Sequence, residues 1–267
     1  MSLKHRLAAG ESTVGTWVTL GHPSVADVLA RAGFDWLVLD MEHSVIGLRE
    51  AQDLLRATEL AGVPGLVRLP ANDAVIIKRV MDAGAAGVMV PMVNSAADAE
   101  AAVAAVRYPP HGTRGVGLAR AQGYGAPGAF ADYRDRLDDT AVVVVMIEHV
   151  DAVAAIDAIL AVDGVDAFIV GPYDLSGSLG APGALDDPRV TEALETVHAA
   201  GRRHGVPGGL HVVEPEPDRL RAALDAGHRF VGYGLDVRFL DVGARTGAQP
   251  DNRTKQDLDA EGSPRGA

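Results

Sequence analysis

The residues that could do chemistry stand where apolar runs end. Asp40, Glu42 and His43 follow Trp36-Leu37-Val38-Leu39, Arg68 interrupts Leu66-Val67-Arg68-Leu69, Glu148 closes the run 142–147, Asp174 follows Phe168-Ile169-Val170-Gly171-Pro172-Tyr173, and His211 sits within 208–212. A charge at the end of a buried apolar segment costs desolvation free energy and adds no packing, so each is a candidate functional group. Glu148 and Asp174, from successive runs, form a donor set suited to a hard divalent cation with open positions for water and substrate oxygens. Asp174, just before Leu175-Ser176-Gly177, fits a helix cap as well. Arg68 could clamp a carboxylate bidentately, as a 2-oxo acid would require, or form a structural ion pair with a neighbouring carboxylate. His43 is either a general base near neutral pH or a loop histidine without chemistry.

These groups need elements that bring them together. Short β-branched runs at 14–20, 36–40, 65–69, 87–91, 142–148, 167–171, 208–212 and 230–234 read as strands. Most are continuously apolar, as parallel strands covered on both faces must be. Between them, 24–32, 48–60, 74–83, 96–107, 152–160, 188–204 and 216–226 carry apolar stripes at helical spacing, several with a capping residue before them and glycine after. This alternation predicts an α/β protein, a (β/α)8 barrel spanning 1–246, in which polar residues at the C-terminal ends of the strands build the site. An open doubly wound sheet is the alternative, and no Gly-x-Gly-x-x-Gly follows an early strand to support it. Residues 108–140 read as a Gly/Pro/Arg/Tyr-rich excursion, and 247–267 as a polar, disordered tail.

Composition removes several chemistries. The chain has no cysteine, so disulfides, thiolate metal sites and cysteine nucleophiles are excluded. A net charge of −12 opposes binding to a phosphate backbone, so nucleic acid is not an expected partner. No apolar run is long enough to span a bilayer, and the N-terminus lacks the apolar stretch of a signal peptide, which predicts a cytoplasmic protein with no membrane partner. Lysines are scarce: Lys4, Lys78 and Lys255 are the only ones. None lies on a predicted strand, whereas a Schiff-base aldolase needs a desolvated lysine inside its site. The expectation is therefore metal-assisted enolisation.

The ordered set Asp40-Met41-Glu42-His43, Val67-Arg68, Val90-Pro91-Met92-Val93, Arg107-Tyr108-Pro109-Pro110 with Gly112-x-Arg114-Gly115, Ile147-Glu148 and Gly171-Pro172-Tyr173-Asp174-Leu175-Ser176 resembles the HpcH/HpaI aldolase family, the metal-dependent class II pyruvate aldolases. The resemblance covers about residues 10–245. It implies a TIM barrel, a homohexamer whose subunits exchange a C-terminal helix, and reversible aldol cleavage of a 4-hydroxy-2-oxo acid to pyruvate, or a related 2-oxo acid, and an aldehyde. It places Mg2+, Mn2+ or Co2+ on Glu148 and Asp174, the pyruvate carboxylate and enolate oxygen on Arg68, and the base on His43. It makes Asp82 a partner of that histidine from a neighbouring subunit, with Asp40 as the other candidate to orient it. Gly171, Pro172, Tyr173 and Leu210 fall where the family contacts pyruvate. Two features depart from the degradative pattern: Met146 stands where the family often has Gln, and 117–125 with Tyr173 is closer to a biosynthetic branch. The alternatives implied are a synthase using an oxaloacetate-derived enolate, or a non-catalytic 2-oxo-acid-binding relative.

Overall fold

The computed structural model describes residues 1–248. Eight parallel strands close in sequential order into a barrel: β1 (Thr13–Val18), β2 (Trp36–Asp40), β3 (Gly65–Arg68), β4 (Gly87–Val90), β5 (Val142–Ile147), β6 (Ala167–Val170), β7 (Gly208–Val212) and β8 (Phe230–Leu235). The outer layer is α2 (Pro23–Arg31), α3 (Leu48–Leu60), α4 (Ala74–Ala83), α5 (Ala96–Val106), α6 (Ala129–Thr140), α7 (Val150–Ala154), α8 (Ile156–Leu160), α9 (Pro172–Ser178), α10 (Pro188–His204), α11 (Pro217–Asp225) and α12 (Asp236–Ala248); α1 (Leu3–Ala8) precedes the barrel. All eight expected strands are present, so the closed barrel holds and the open sheet does not.

The expected helix over 152–160 is two, because Ala155 leaves helical geometry at φ −99°, ψ 7°. The excursion 108–140 ends in a helix, α6, with Leu137 as its one buried residue; its Asp- and Arg-rich sequence carries too narrow an apolar stripe to announce it. The tail expected from 247 begins inside α12, which runs through Ala248, and its remainder lies outside the described residues. Among the described residues no helix is long and apolar enough to cross a membrane.

Strand parity organises the core. Trp36, Val38, Leu66, Met89, Val142, Val144, Met146, Ala167 and Ile169 pack together inside the barrel, with Leu3 and Leu7 of α1 joining them. Their alternates, including Leu37, Leu39, Val67, Val143, Val145, Ile147 and Val170, pack under the helices. Side chains alternate with period two, so Asp40, Arg68 and Glu148 share the inward parity of 36 and 38, of 66, and of 142 to 146. Gly171 and His211 do the same for β6 and β7. Burying a charge of the other parity would place it among aliphatic helix contacts with no partner.

At the opposite end from these residues, His198 of α10 lies in T-shaped contact with His228 at 4.4 Å between ring centroids. Burial, together with the positive fields of His228 and Arg202, lowers the His198 imidazole to about 4. It stays neutral in the fold over a range where the unfolded chain, titrating near 6.5, takes a proton. Stability therefore falls as pH drops below 6.5, by on the order of 2 kcal/mol between pH 7 and pH 5 from this group. Urea unfolding at both pH values should show His198→Phe losing less stability than the parent; equal losses would remove His198 from the account.

Candidate active site

β2 and β3 end in register, Asp40 opposite Arg68. The guanidinium donates from Nε to Oδ1 of Asp40 at 3.0 Å and from Nη2 to Oδ2 at 2.6 Å, a bidentate pair, and Asp40 is only 1% exposed. Asp40 Oδ1 also accepts the backbone N–H groups of Glu42 and His43, at 3.0 and 3.1 Å. Burial by itself would raise the Asp40 carboxyl; the Arg68 pairing and the two amides hold it below its ordinary value. Arg68 is thus anchored on a barrel carboxylate, with Nη1 left facing Glu42 Oε2 at 3.5 Å. The structural and functional readings of Arg68 are compatible, since one edge is committed and the other is not.

Glu148 follows the last residue of β5 and is buried. Its Oε2 accepts the Met92 N–H at 2.9 Å, and Met92 is held at φ 52°, a region uncommon for residues other than glycine. The absence of a side chain at Gly171 also serves Glu148: a Cβ there would stand 2.8 Å from Oε1. Burial, opposed by the Met92 amide and reinforced by repulsion from Glu42 and Asp174, pushes the Glu148 carboxyl up to about 6. Glu42 is raised by the same cause, burial, and its Oε2 is enclosed without a hydrogen-bond partner. Asp174 does not cap α9; Gly171 is the N-cap, and Asp174 lies in the first turn. Glu42, Glu148 and Asp174 thus face one partly committed guanidinium, a surplus of negative charge that fits a cation. Among the described residues no three His, Asp or Glu side chains form a closed cage. Two carboxylates with open positions remain a donor set for Mg2+ or Mn2+ completed by water and substrate oxygens.

Trp17, Arg68, Met146, Glu148, Asp174 and His211 line one cavity of about 160 Å3 with the turn at Gly171, Pro172 and Tyr173. Tyr173 is exposed, and Leu210, opposite Val170 in the ladder, packs outward against Val212 and Val231, away from that cavity. The alternation of β7 makes His211, not Leu210, the residue of that strand in the mouth, which corrects the expected contact at Leu210. His43 lies on the β2–α3 loop, largely exposed, with Nε2 3.8 Å from Glu42 Oε2. Asp40 touches only its backbone amide, so the expectation that Asp40 orients the imidazole is corrected: both Asp40 oxygens are taken by Arg68 and amides. Asp82 of α4 accepts from Arg114 Nη2 and from Gln122 Nε2, and no hydrogen bond joins it to His43 within the chain. Trp17 is the residue sequence reasoning missed. Its ring stacks on His211 at 4.1 Å and 11°, and it fits because a Cβ at Gly232 would come within 2.2 Å of it. The signal was present: a large aromatic of inward parity opposite a glycine-rich strand.

The fold is a (β/α)8 barrel with a charged cavity at the C-terminal ends of its strands. The chain belongs to the HpcH/HpaI aldolase/citrate lyase family, whose model matches residues 13–241. It is 41% identical over 242 residues to a hydroxypyruvate/pyruvate aldolase of Sagittula stellata, covering 90% of this chain and 94% of that one. An HpcH/HpaI aldolase/citrate lyase family protein of Burkholderia cenocepacia superposes with a TM-score of 0.86 at 36% identity, covering 92% and 97% of the two chains. The citrate synthase SbnG superposes with a TM-score of 0.81 at 30% identity over 97% and 99%.

Removing one member of a buried ion pair strands the other. Asp40→Ala should destabilise the fold by about 3–5 kcal/mol in urea unfolding, whereas Asp40→Ala with Arg68→Met should recover part of that loss. Additive losses in the double variant would show that the pair is not the source.

Proposed function

We propose that the chain is a divalent-metal-dependent aldolase that reversibly cleaves a 4-hydroxy-2-oxo acid to a 2-oxo acid, pyruvate or hydroxypyruvate, and an aldehyde. The observation that carries this reading is the charge pattern of the mouth: Glu148 and Asp174 uncompensated beside a guanidinium whose one edge is locked to Asp40. The identity to an aldolase acting on those donors, spread over nine-tenths of the chain, supports the donor class.

Glu148 and Asp174 would hold Mg2+, Mn2+ or Co2+, which when bound polarises the 2-oxo group and acidifies the C3 position. Arg68 offers Nη1 to the donor and stabilises the negative charge that develops on the C2 oxygen as the C3–C4 bond breaks. Its orientation is set before substrate arrives, because Nε and Nη2 are already held. His43 takes the proton of the C4 hydroxyl as that carbon becomes the aldehyde carbonyl, and returns it to the alkoxide oxygen in condensation. Within one subunit Asp82 accepts from Arg114 and Gln122 and not from His43, so a pairing of Asp82 with His43 would come from a neighbouring copy; the reading includes such a homo-oligomer, a hexamer. Among the described residues imine chemistry has no candidate lysine: Lys4 pairs with Asp166 at 3.1 Å and Lys78 lies on α4.

Chelator treatment should abolish cleavage and added Mg2+ or Mn2+ restore it, while Glu148→Gln and Asp174→Asn each lower kcat/KM by about 100-fold or more in an assay coupled to 2-oxo acid release. Borohydride in the presence of pyruvate should leave the enzyme active. Full activity after chelation, or inactivation by borohydride, overturns the metal reading. Oxaloacetate decarboxylation with Mg2+ is expected as well, and its absence alongside absent cleavage would leave only a binding relative.

A further inference from the structure

His211 is the titratable group in the mouth for which this reaction has no use. It is on β7 with inward parity, lines the same cavity as Arg68 and Glu148, and is fixed on two sides. Its ring lies flat on Trp17, and its Nε2 is 2.8 Å from the carbonyl oxygen of Gly234. A carbonyl can only accept, so Nε2 carries the proton and Nδ1 is the bare acceptor. Among the described residues Nδ1 has no partner, and it is not among the enclosed unpartnered atoms, so it keeps access to the cavity that His211 lines. Burial holds the imidazole at about 4, with Arg68 adding to the effect, so the ring is uncharged and Nδ1 stays an acceptor through the neutral range.

The position of this acceptor relative to the charged groups narrows what it can meet. On the reading above, the carboxylate and 2-oxo oxygens of a three-carbon donor go to the charged wall of Arg68, Glu148 and Asp174. C3 is then the carbon left to face the remaining wall, formed by Trp17, Met146 and His211. A methyl group there would suit Trp17 and Met146 but would leave the Nδ1 lone pair against carbon with no donor, an unmade hydrogen bond that counts against the methyl-bearing donor. A hydroxyl there has a proton to donate.

We propose that His211 is a specificity-determining residue: its Nδ1 accepts a hydrogen bond from a hydroxyl on C3 of the donor, so that the site prefers a 3-hydroxy-2-oxo acid to the unsubstituted one. The inference rests on the aldolase reading and deepens it by assigning the donor choice to one atom. Trp17 acts through His211, holding the ring plane, and Gly234 sets the tautomer.

The test compares kcat/KM for hydroxypyruvate and for pyruvate, with one common aldehyde, in the Mg2+-loaded enzyme and two variants. His211→Phe keeps the stack on Trp17 and removes the acceptor, and should lower the hydroxypyruvate-to-pyruvate ratio by about tenfold or more. His211→Asn places an amide oxygen near the position of Nδ1 and should restore part of the ratio. A ratio unchanged in His211→Phe, with both donors slowed alike, overturns the proposal and leaves His211 as packing. A wild-type enzyme inactive with both donors would instead overturn the aldolase reading itself. Independently of any variant, the His211 Nδ1 15N resonance should move on adding hydroxypyruvate and not on adding pyruvate; equal movement with both overturns the proposal.

Discussion

The ion pair between Asp40 and Arg68 is the constraint on which the mouth of this barrel depends. Removing two charges from water costs several kcal/mol per ion, and such a pair is tolerable only when its geometry is good and its remaining acceptor sites are used. Both conditions are met by the strand ladder, which puts the two residues directly opposite, and by the amides of Glu42 and His43, which fill the remaining lone pairs. The consequences reach beyond the pair. The first residues of the β2–α3 loop are pinned by the same carboxylate that holds the guanidinium. The placement of His43 and the aim of Arg68 are therefore set by one side chain, and a shift at Asp40 would move both.

The mouth is built at the expense of the folded chain's electrostatics. Glu148 is raised to about 6 and Glu42 is raised as well, both chiefly through burial, with neighbouring carboxylates adding repulsion. A stable fold has no need for this; a barrel with the same parity and apolar residues at these positions would avoid the desolvation. These carboxylates converge where the strands end, and a divalent cation held there would remove their mutual repulsion. Met92, held at positive φ to direct its N–H to Glu148, belongs to the same pattern of local cost.

Much of the architecture was legible in the sequence because it rests on local signals. Mostly apolar β-branched runs, alternating with helical segments that end at glycine, marked all eight strands. What escaped was non-local. α6 buries Leu137 alone and is otherwise polar, so periodicity could not show it, and α9, starting on Gly171-Pro172, reads as a turn. The site followed the same division. Glu148, Asp174 and Arg68 stood out as charges on apolar runs, and the cavity does bring them together. The partner of Arg68 could not be chosen, because that depended on the β2–β3 register. His211 was named from its strand and Leu210 from resemblance, and only the parity of β7 decides which of the two faces the mouth. Asp82 was read from resemblance, and its bonds to Arg114 and Gln122 depend on the excursion after α5, whose course no periodicity encodes.

The barrel mouth divides into two halves with different physical character. β2, β3, β5 and β6 deliver Asp40, Arg68, Glu148 and the turn bearing Asp174, all charged and mutually coupled. β1, β7 and β8 deliver Trp17, His211 and the glycine that makes room for the indole, all uncharged at neutral pH. A substitution in the first half changes the field at Glu42 and Glu148, because the carboxyls of both respond to Arg68 and Asp174 as well as to burial. One in the second half changes shape or a single hydrogen bond and leaves that field nearly intact. Chemistry and substrate choice can therefore vary separately. On the proposed mechanism the charged half would do the enolate chemistry, while the shape and hydrogen bonding of the other half would turn on His211, the residue placed opposite Gly232 on β7.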